Sequence, residues 1–430
     1  MLPIDPDADG SRRAWLTCPN CNQGDGCAEC ESRRNCDTHW QYLLRNEGTR
    51  LLLQCPACTH LWTVDTKADR HATSIPDAGE RTREPVVTTI PLGVRVCDIA
   101  VSPGNDQLYI ATTDSVMAIS AFHHVVATIP TGHDVKRLSM SGDGRILYVT
   151  DYDGSLTIIN TADNTASSVV NSPSTAEVVS PDGKYIYSAH HPMLGEGDSS
   201  WISVIDADGT KVAMVPVDSY AADLDVSPDG SRLYVVTRER SSYYQYCSGS
   251  VSVIDTDAHT VVDTIEVPVS PSTVTVSPDG SGLYVTHYDT NAVSSIDLAR
   301  QCATSVSPVD APLSAAVRPD GTQLYVTCLD ALVVVDTVTN LAESVRAGDL
   351  PRRLQFSGDG KRAYITDFGH HAVSVIDTIS NAVLDTIDVG GDPEAVALSA
   401  DGERLYVADY WAGTVTVISV ASLPRDAEEA

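Results

Sequence analysis

The 430-residue chain has no uninterrupted apolar run long enough to span a bilayer. Its first residues, Met1-Leu2-Pro3-Ile4-Asp5-Pro6-Asp7, lack the basic segment and apolar core of a secretory signal. No membrane association and a cytoplasmic location are expected, with thiols kept reduced. Positive charge is also scarce: 28 Lys and Arg stand against 58 Asp and Glu, a formal net charge of −30. Non-specific nucleic-acid affinity comes from Lys and Arg neutralising phosphates, so whole-surface binding to DNA or RNA is argued against. Three catalytic signatures are missing as well: the phosphate-binding loop, the Gly-x-Ser-x-Gly elbow and His-Glu-x-x-His. These absences favour a binding protein over an enzyme.

Cysteine is present but unevenly spread. Seven of the eleven fall early, at Cys18, Cys21, Cys27, Cys30, Cys36, Cys55 and Cys58. Cys97, Cys247, Cys302 and Cys328 are scattered, without short paired spacing. Clustered thiols in a reducing compartment read as metal ligands before disulfides. Cys18-Pro19-Asn20-Cys21 follows Ala14-Trp15-Leu16, and Cys55-Pro56-Ala57-Cys58 lies between Leu51-Leu52-Leu53 and Leu61-Trp62-Thr63-Val64. Two such turns facing each other place four thiolates tetrahedrally, as Zn²⁺ prefers. Over 13–65 the chain resembles a zinc ribbon, whose knuckles match Cys18/Cys21 and Cys55/Cys58. Between them, Cys27, Cys30, Cys36 and His39 form a candidate second site. The alternative is a single ion held by a subset of these residues. Asp37 is expected to cap a short helix over 38–46 that stops near Gly48. So small and polar a segment makes a marginal core, whereas a structural zinc contributes about 10–16 kcal/mol of apparent binding energy. No knuckle has the fifth-position histidine of a c-type haem site, which holds Asn22, Glu31 and Thr59 instead. Nor does either CPxC turn look like a thioredoxin helix start.

After residue 84 the chain repeats itself. The phrase Val-Ser-Pro-Asp-Gly-x-x-Leu-Tyr-Val-Thr begins at Val226 and Val276, and at Val317 with Arg318 for Ser. Looser copies begin at Val101, Met140, Val179, Phe356 and Leu398, making eight. The turn glycine or its equivalent stands at Asn105, Gly144, Gly183, Gly230, Gly280, Gly321, Gly360 and Gly402, a spacing of 39 to 50 residues. Ser-Pro-Asp-Gly is a type I turn followed by a left-handed Gly. Apolar strands flank it, and two more strands complete each repeat, which is the composition of a propeller blade. Tyr148-Val149-Thr150-Asp151 and Tyr284-Val285-Thr286-His287 carry a resemblance to the YVTN (YncE-like) propeller repeat family, covering about 85–420.

The expected fold is therefore all-β: an eight-bladed propeller, seven being the alternative, behind a small zinc-ribbon-like domain. Residues 1–12 read as a disordered acidic tail, 66–84 as a linker and 421–430 as a second acidic tail. The last copy has only three strands, and 85–92 is expected to supply its fourth, leaving no open edge.

Candidate sites lie where the second strand of each blade ends. The residues there are Thr112, Asp151, His190, Thr237, His287, Cys328, Asp367 and Asp409. Such residues either cap their local backbone or form a polar ring around the funnel mouth. In the second case Asp151, His190, His287, Asp367 and Asp409 would converge on a metal or polar ligand. At the entrances to the inner strands, Asp98, Arg137, Asp223 and Arg353 align, with Lys136 beside Arg137 and Arg352 beside Arg353. These basic pairs would hold a small anionic ligand or form salt bridges between blades. Two long intervals add 191–201 and 239–249, which carry Trp201, Tyr243, Tyr244 and Tyr246 as candidates for a protein-partner contact.

Two functions follow. The first is a zinc-binding scaffold or ligand-binding protein. The second is a funnel enzyme: the resemblance extends to propellers that act as sugar lactonases or haem-d1 nitrite reductases, and a lactonase-like hydrolase or metal-dependent activity would use the Asp/His ring. Recognition of nucleic acid by the head through Arg33, Arg34, Arg45 and Arg50 is opposed by the acidic propeller.

Overall fold

The computed structural model describes residues 86–424 apart from 105–106, 122, 133, 172–173, 192–199, 241–245 and 307–308, together with four strands nearer the amino terminus. The chain divides into two compact units, Met1–Arg83 and Glu84–Ala430. In the first, Arg13–Ala14, Gln41–Glu47, Arg50–Gln54 and Leu61–Asp65 pair antiparallel in that order. Where the helix expected over 38–46 overlaps the described residues it is corrected to a strand, Gln41–Glu47. Glu47 pairs directly with Arg50. The leucine-rich segment that follows supplies the partner. Cys18, Cys21, Cys27, Cys30, Cys36, His39, Cys55 and Cys58 lie outside the described residues.

The second unit is an eight-bladed β-propeller, each blade an antiparallel sheet of four strands, here called a to d outward from the axis. Blades 1 to 7 span 96–130, 135–171, 174–217, 220–267, 271–306, 312–345 and 351–388. Blade 8 takes strands a to c from 393–419, and its strand d is Val86–Pro91. Thr414 pairs with Pro91 and Val415 with Ile90, so the two ends of the unit share one sheet.

Alternation along strand b explains why blades stack. In blade 1, Leu108 and Ile110 pack toward blade 8, while Tyr109 and Ala111 pack toward blade 2. Both faces are thus buried, and the segment reads as a nearly continuous apolar run. Eight apolar clusters result, one at every junction between neighbours. A tyrosine from strand b enters each: Tyr109, Tyr148, Tyr187, Tyr234, Tyr284, Tyr325, Tyr364 and Tyr406, every one facing the following blade. Burying such a ring contributes roughly 2 kcal/mol. The hydroxyl of Tyr325 reaches Asn381 Oδ1 in blade 7 (2.8 Å), and that of Tyr109 reaches Asn164 Oδ1 in blade 2 (3.2 Å).

The turn between strands a and b is closed by its own side chains. In blade 2 the Gly144 N–H donates to Ser141 O (2.8 Å). The Ser141 hydroxyl donates to Asp143 Oδ1 (2.8 Å) and accepts the Ile146 N–H (3.0 Å). Gly144 has φ +71°, a left-handed conformation that glycine adopts without a Cβ clash. The same bonds recur at Ser180, Ser227, Ser277, Ser357 and Ser399. In blade 6 Arg318 replaces the serine and donates instead to Gly360 O of blade 7 (3.0 Å).

Three carboxylates on strands a bond the next blade. Asp98 accepts the Leu138 N–H (2.8 Å), Asp223 the Val274 N–H (3.0 Å) and Asp225 the Val276 N–H (2.8 Å). Protein atoms crowd all three, and burial raises each pKa against the pull of those N–H groups, Asp223 to about 6.

Two expectations follow. Ile90, buried in the closing strand, belongs to the core between blades 8 and 1. Ile90→Ala should cost about 2–4 kcal/mol in urea unfolding, while Thr89→Ala on the exposed face should stay within about 0.5 kcal/mol. Between the ordinary value of 3.8 and about 6, native Asp223 holds a proton that the unfolded chain releases. Its carboxyl therefore adds stability at low pH, and that contribution is lost as pH rises through about 6. Asp223→Asn should raise stability by about 1–3 kcal/mol near neutral pH and change little once the native carboxyl is protonated. Urea midpoints across pH check both ends.

Candidate functional site

Strands b end, and strands a begin, on the same face of the propeller, because the two pair antiparallel. In every blade the register shifts just after strand a starts, as between Val135 and Arg137 or Val96 and Asp98. Such bulges re-aim side chains. They recur here at the channel mouth, among the innermost strands.

The eight candidate residues at the ends of strands b, of which Thr237 lies inside a strand that continues to Arg240, do not open onto that channel. All are at most 3% exposed, wedged one strand away from the axis. Several hold junctions between loops. Asp367 Oδ1 accepts the N–H groups of Asp349 (2.9 Å) and His370 (3.1 Å), and Oδ2 accepts from His370 Nδ1 (2.8 Å). Asp409 Oδ1 accepts from Trp411 N (3.0 Å) and Ala412 N (2.9 Å). The His287 ring lies between Val269 O (3.2 Å) and Ser294 Oγ (2.8 Å), and burial lowers its pKa. His190 stacks on Trp201, ring centroids 5.4 Å apart. Asp151 is buried like the others. Glycine makes room at two of these posts: a Cβ on Gly391 would fall 1.3 Å from Asp409 Oδ2, and one on Gly348 2.0 Å from Asp367 Oδ2. Among the described residues no three His, Cys, Asp or Glu side chains gather to hold a metal. Local bonding accounts for Asp367 and His287, whereas Asp409 is held through Oδ1 alone and its buried Oδ2 has no hydrogen-bond partner among the described residues.

The strand a entrances are different. Lys136 Nζ donates to Thr175 O (3.1 Å), and Arg352 pairs with Glu394 (2.9 Å) and lies over the Phe368 ring (4.3 Å). Their neighbours Arg137 and Arg353 are exposed and make no ion pair or side-chain hydrogen bond among the described residues. Both are close enough to Asp98 to oppose the rise that burial imposes on its pKa. Arg137 acts in the same sense on Asp223 and Asp225 of blade 4, so guanidinium groups from blades 2 and 7 stand at the mouth among buried carboxylates.

Sequence reading passed over the residues that complete this sector. Arg95 lies 4.6 Å over the Trp411 ring and 5.6 Å from that of Tyr410. Burial pushes the Tyr152 hydroxyl up, with Cys97, Glu394 and Tyr410 adding to the shift and Arg353 opposing it. The Cys97 thiol is raised to about 11 by burial, then by Asp134, Asp98 and Glu394. It stays protonated, which argues against thiolate chemistry there. One signal was available: the residue after each strand b end is aromatic in four blades, at Tyr152, Tyr288, Phe368 and Tyr410.

Of the partner-contact candidates, only the position of Trp201 is corrected by the described residues. Trp201 belongs to strand c of blade 3, not to a loop, and is half-buried against His190. The insertion at 239–249 lengthens the strand b–c hairpin of blade 4, whose pairing runs out to Arg240 and Tyr246. Tyr243, Tyr244 and the Tyr246 side chain lie outside the described residues. A hollow of about 800 Å³ opens on the opposite face between the turns of blades 4 and 5. Its carboxylates are occupied locally, Asp229 by Ser227 and Ser231, and Asp279 by Ser277 and Ser281.

No family model matches the chain. Two curated relatives are both described as uncharacterized protein YncE. The Salmonella typhi protein is 28% identical over 157 residues, and that of Salmonella typhimurium 27% over 164. Each match takes in 36% of this chain and 42% of the relative, so the chain spans about two fifths of these relatives' length. Among solved structures the chain is similar to hydrazine synthase of Kuenenia stuttgartiensis, with TM-score 0.52 and 21% identity over 81% of this chain and 99% of that one. That likeness is one of fold.

Proposed function

We propose that the chain is a binding protein, in which a rigid propeller takes an anionic ligand at its channel mouth through Arg137 and Arg353. The observation that carries this reading is the pair of exposed guanidinium groups, without an ion pair or side-chain hydrogen bond among the described residues, in a chain of net charge −30. Other arginines of the propeller do find carboxylates, as Arg232 does with Asp255 (2.7 Å) and Arg352 with Glu394 (2.9 Å). Guanidinium recognises carboxylate and phosphate in a bidentate fork, so either class of anion suits the site. The weak likeness to YncE proteins supports a propeller of that kind and leaves the ligand open.

The head is proposed to hold zinc through Cys18, Cys21, Cys55 and Cys58, with Cys27, Cys30, Cys36 and His39 as a second set. Two features support this: the thiol spacing, and the position of Cys55 and Cys58 between strands whose Gln54 and Leu61 pair directly. Its role there is structural, and it implies a reducing compartment.

A panel of small carboxylates and phosphates, screened by thermal shift, is expected to contain stabilising ligands; at saturation about 2–4 kcal/mol is typical. Arg137→Ala with Arg353→Ala should abolish the shift. A double variant that still responds would remove the site. Elemental analysis should find one or two zinc ions per chain, and Cys18→Ser with Cys55→Ser should release at least one. Full zinc retention in that variant would place the metal elsewhere.

A further inference from the structure

The sector of the mouth formed by blades 7, 8, 1 and 2 carries more than two arginines. Trp411 is 61% exposed and Tyr152 69% exposed, although both are large aromatic side chains. Arg95 lies over the Trp411 ring and, among the described residues, has no carboxylate within ion-pair distance. We propose that this sector is a docking surface for an acidic peptide segment of a partner protein. Its carboxylates would meet Arg95, Arg137 and Arg353, and an apolar side chain would lie against Trp411 and Tyr152. The proposal rests on the anion site above and names the kind of ligand that fills it.

Three arguments point to a peptide. The arginines come from separate places in the ring: the segment entering blade 1, strand a of blade 2 and strand a of blade 7. A ligand engaging all three has to be extended, with charges spaced along it. Trp, Tyr and Arg are the residues that dominate energetically important positions in protein interfaces. The platform is also held in place before any partner arrives. Asp409 fixes the Trp411 and Ala412 N–H groups, and Leu92 and Gly93 both donate to Gly413 O (2.9 and 3.3 Å). A Cβ on Gly413 would come within 2.4 Å of Val94 O, so this loop is tightly seated. A preorganised surface loses little entropy on binding.

The test uses the full chain and a peptide array rich in Glu and Asp, with a single Leu, Phe or Trp scanned along each sequence. Fluorescence anisotropy then ranks the best array peptide against citrate, inorganic phosphate and a single-stranded oligonucleotide. Peptides carrying the apolar residue should bind best. Trp411→Ala with Tyr152→Ala should weaken them by roughly tenfold or more, leaving citrate or phosphate binding unchanged. Arg137→Ala with Arg353→Ala should weaken both. Trp411 and Tyr152 are exposed, and Trp411→Phe, which keeps an apolar ring, should retain part of the peptide affinity. Small anions binding while every acidic peptide fails would overturn the docking surface and leave the anion site standing. Equal peptide binding by the Trp411/Tyr152 variant, or tighter binding of the oligonucleotide, would also overturn it. If no anion of any kind binds, both readings fall.

Discussion

Everything in the propeller depends on strand b having two apolar faces. A sheet with one such face can pack on a single neighbour and stop. Here Leu108 and Ile110 look one way and Tyr109 and Ala111 the other, so each blade needs a neighbour on both sides. A row of such blades always leaves an outer face exposed at each end, and only a ring removes both. Pairing of Val86–Pro91 with Thr414–Ser419 makes that closure a backbone matter as well as an apolar one. The interblade carboxylates add direction, since Asp98 and Asp223 each bond a main-chain N–H of the blade that follows.

The same constraint decides where function can sit. Because strand b is enclosed, a polar residue at its end is enclosed too, and it must find partners locally. Asp367 and His287 do so with loop N–H groups, a neighbouring imidazole, a backbone carbonyl and a serine, and Asp409 does so through one of its two oxygens. Chemistry open to a ligand is left to two places on that face: the bulged entrances of strands a, and the first loop residue beyond strand b. Arg137 and Arg353 occupy the former, and Tyr152 and Tyr410 the latter.

The eight blades were legible because each repeat states its own turn, with Ser and Asp at fixed offsets from a left-handed Gly. Arg318 shows how far the turn tolerates a change, since blade 6 keeps its form with another means of support. The strand end residues were correctly placed at the mouth face, but their burial was not visible. It depends on neighbouring blades and on glycines such as Gly391 in a loop that the repeat phrase does not include. Trp201 misled for a related reason: it follows an insertion in sequence, yet the ladder of blade 3 reaches back to claim it. In the head, the periodicity of 41–47 was too short to separate helix from strand.

Charge bears on the kind of ligand proposed for the mouth. At physiological salt, interactions between exposed charges fade beyond about 8 Å. An approaching anion therefore meets the acidic surface first and the arginines only at short range. Such a profile penalises a ligand that makes one weak ionic contact, because the local gain barely offsets the approach. It tolerates a ligand whose several charges reach Arg95, Arg137 and Arg353 together and whose apolar contact with Trp411 is indifferent to salt. Selectivity would then come from coincidence: charge spacing and an aromatic contact have to be satisfied by the same molecule. A rigid ring is suited to that requirement, since the distances between its entrances are fixed by eight packed junctions and not by the ligand.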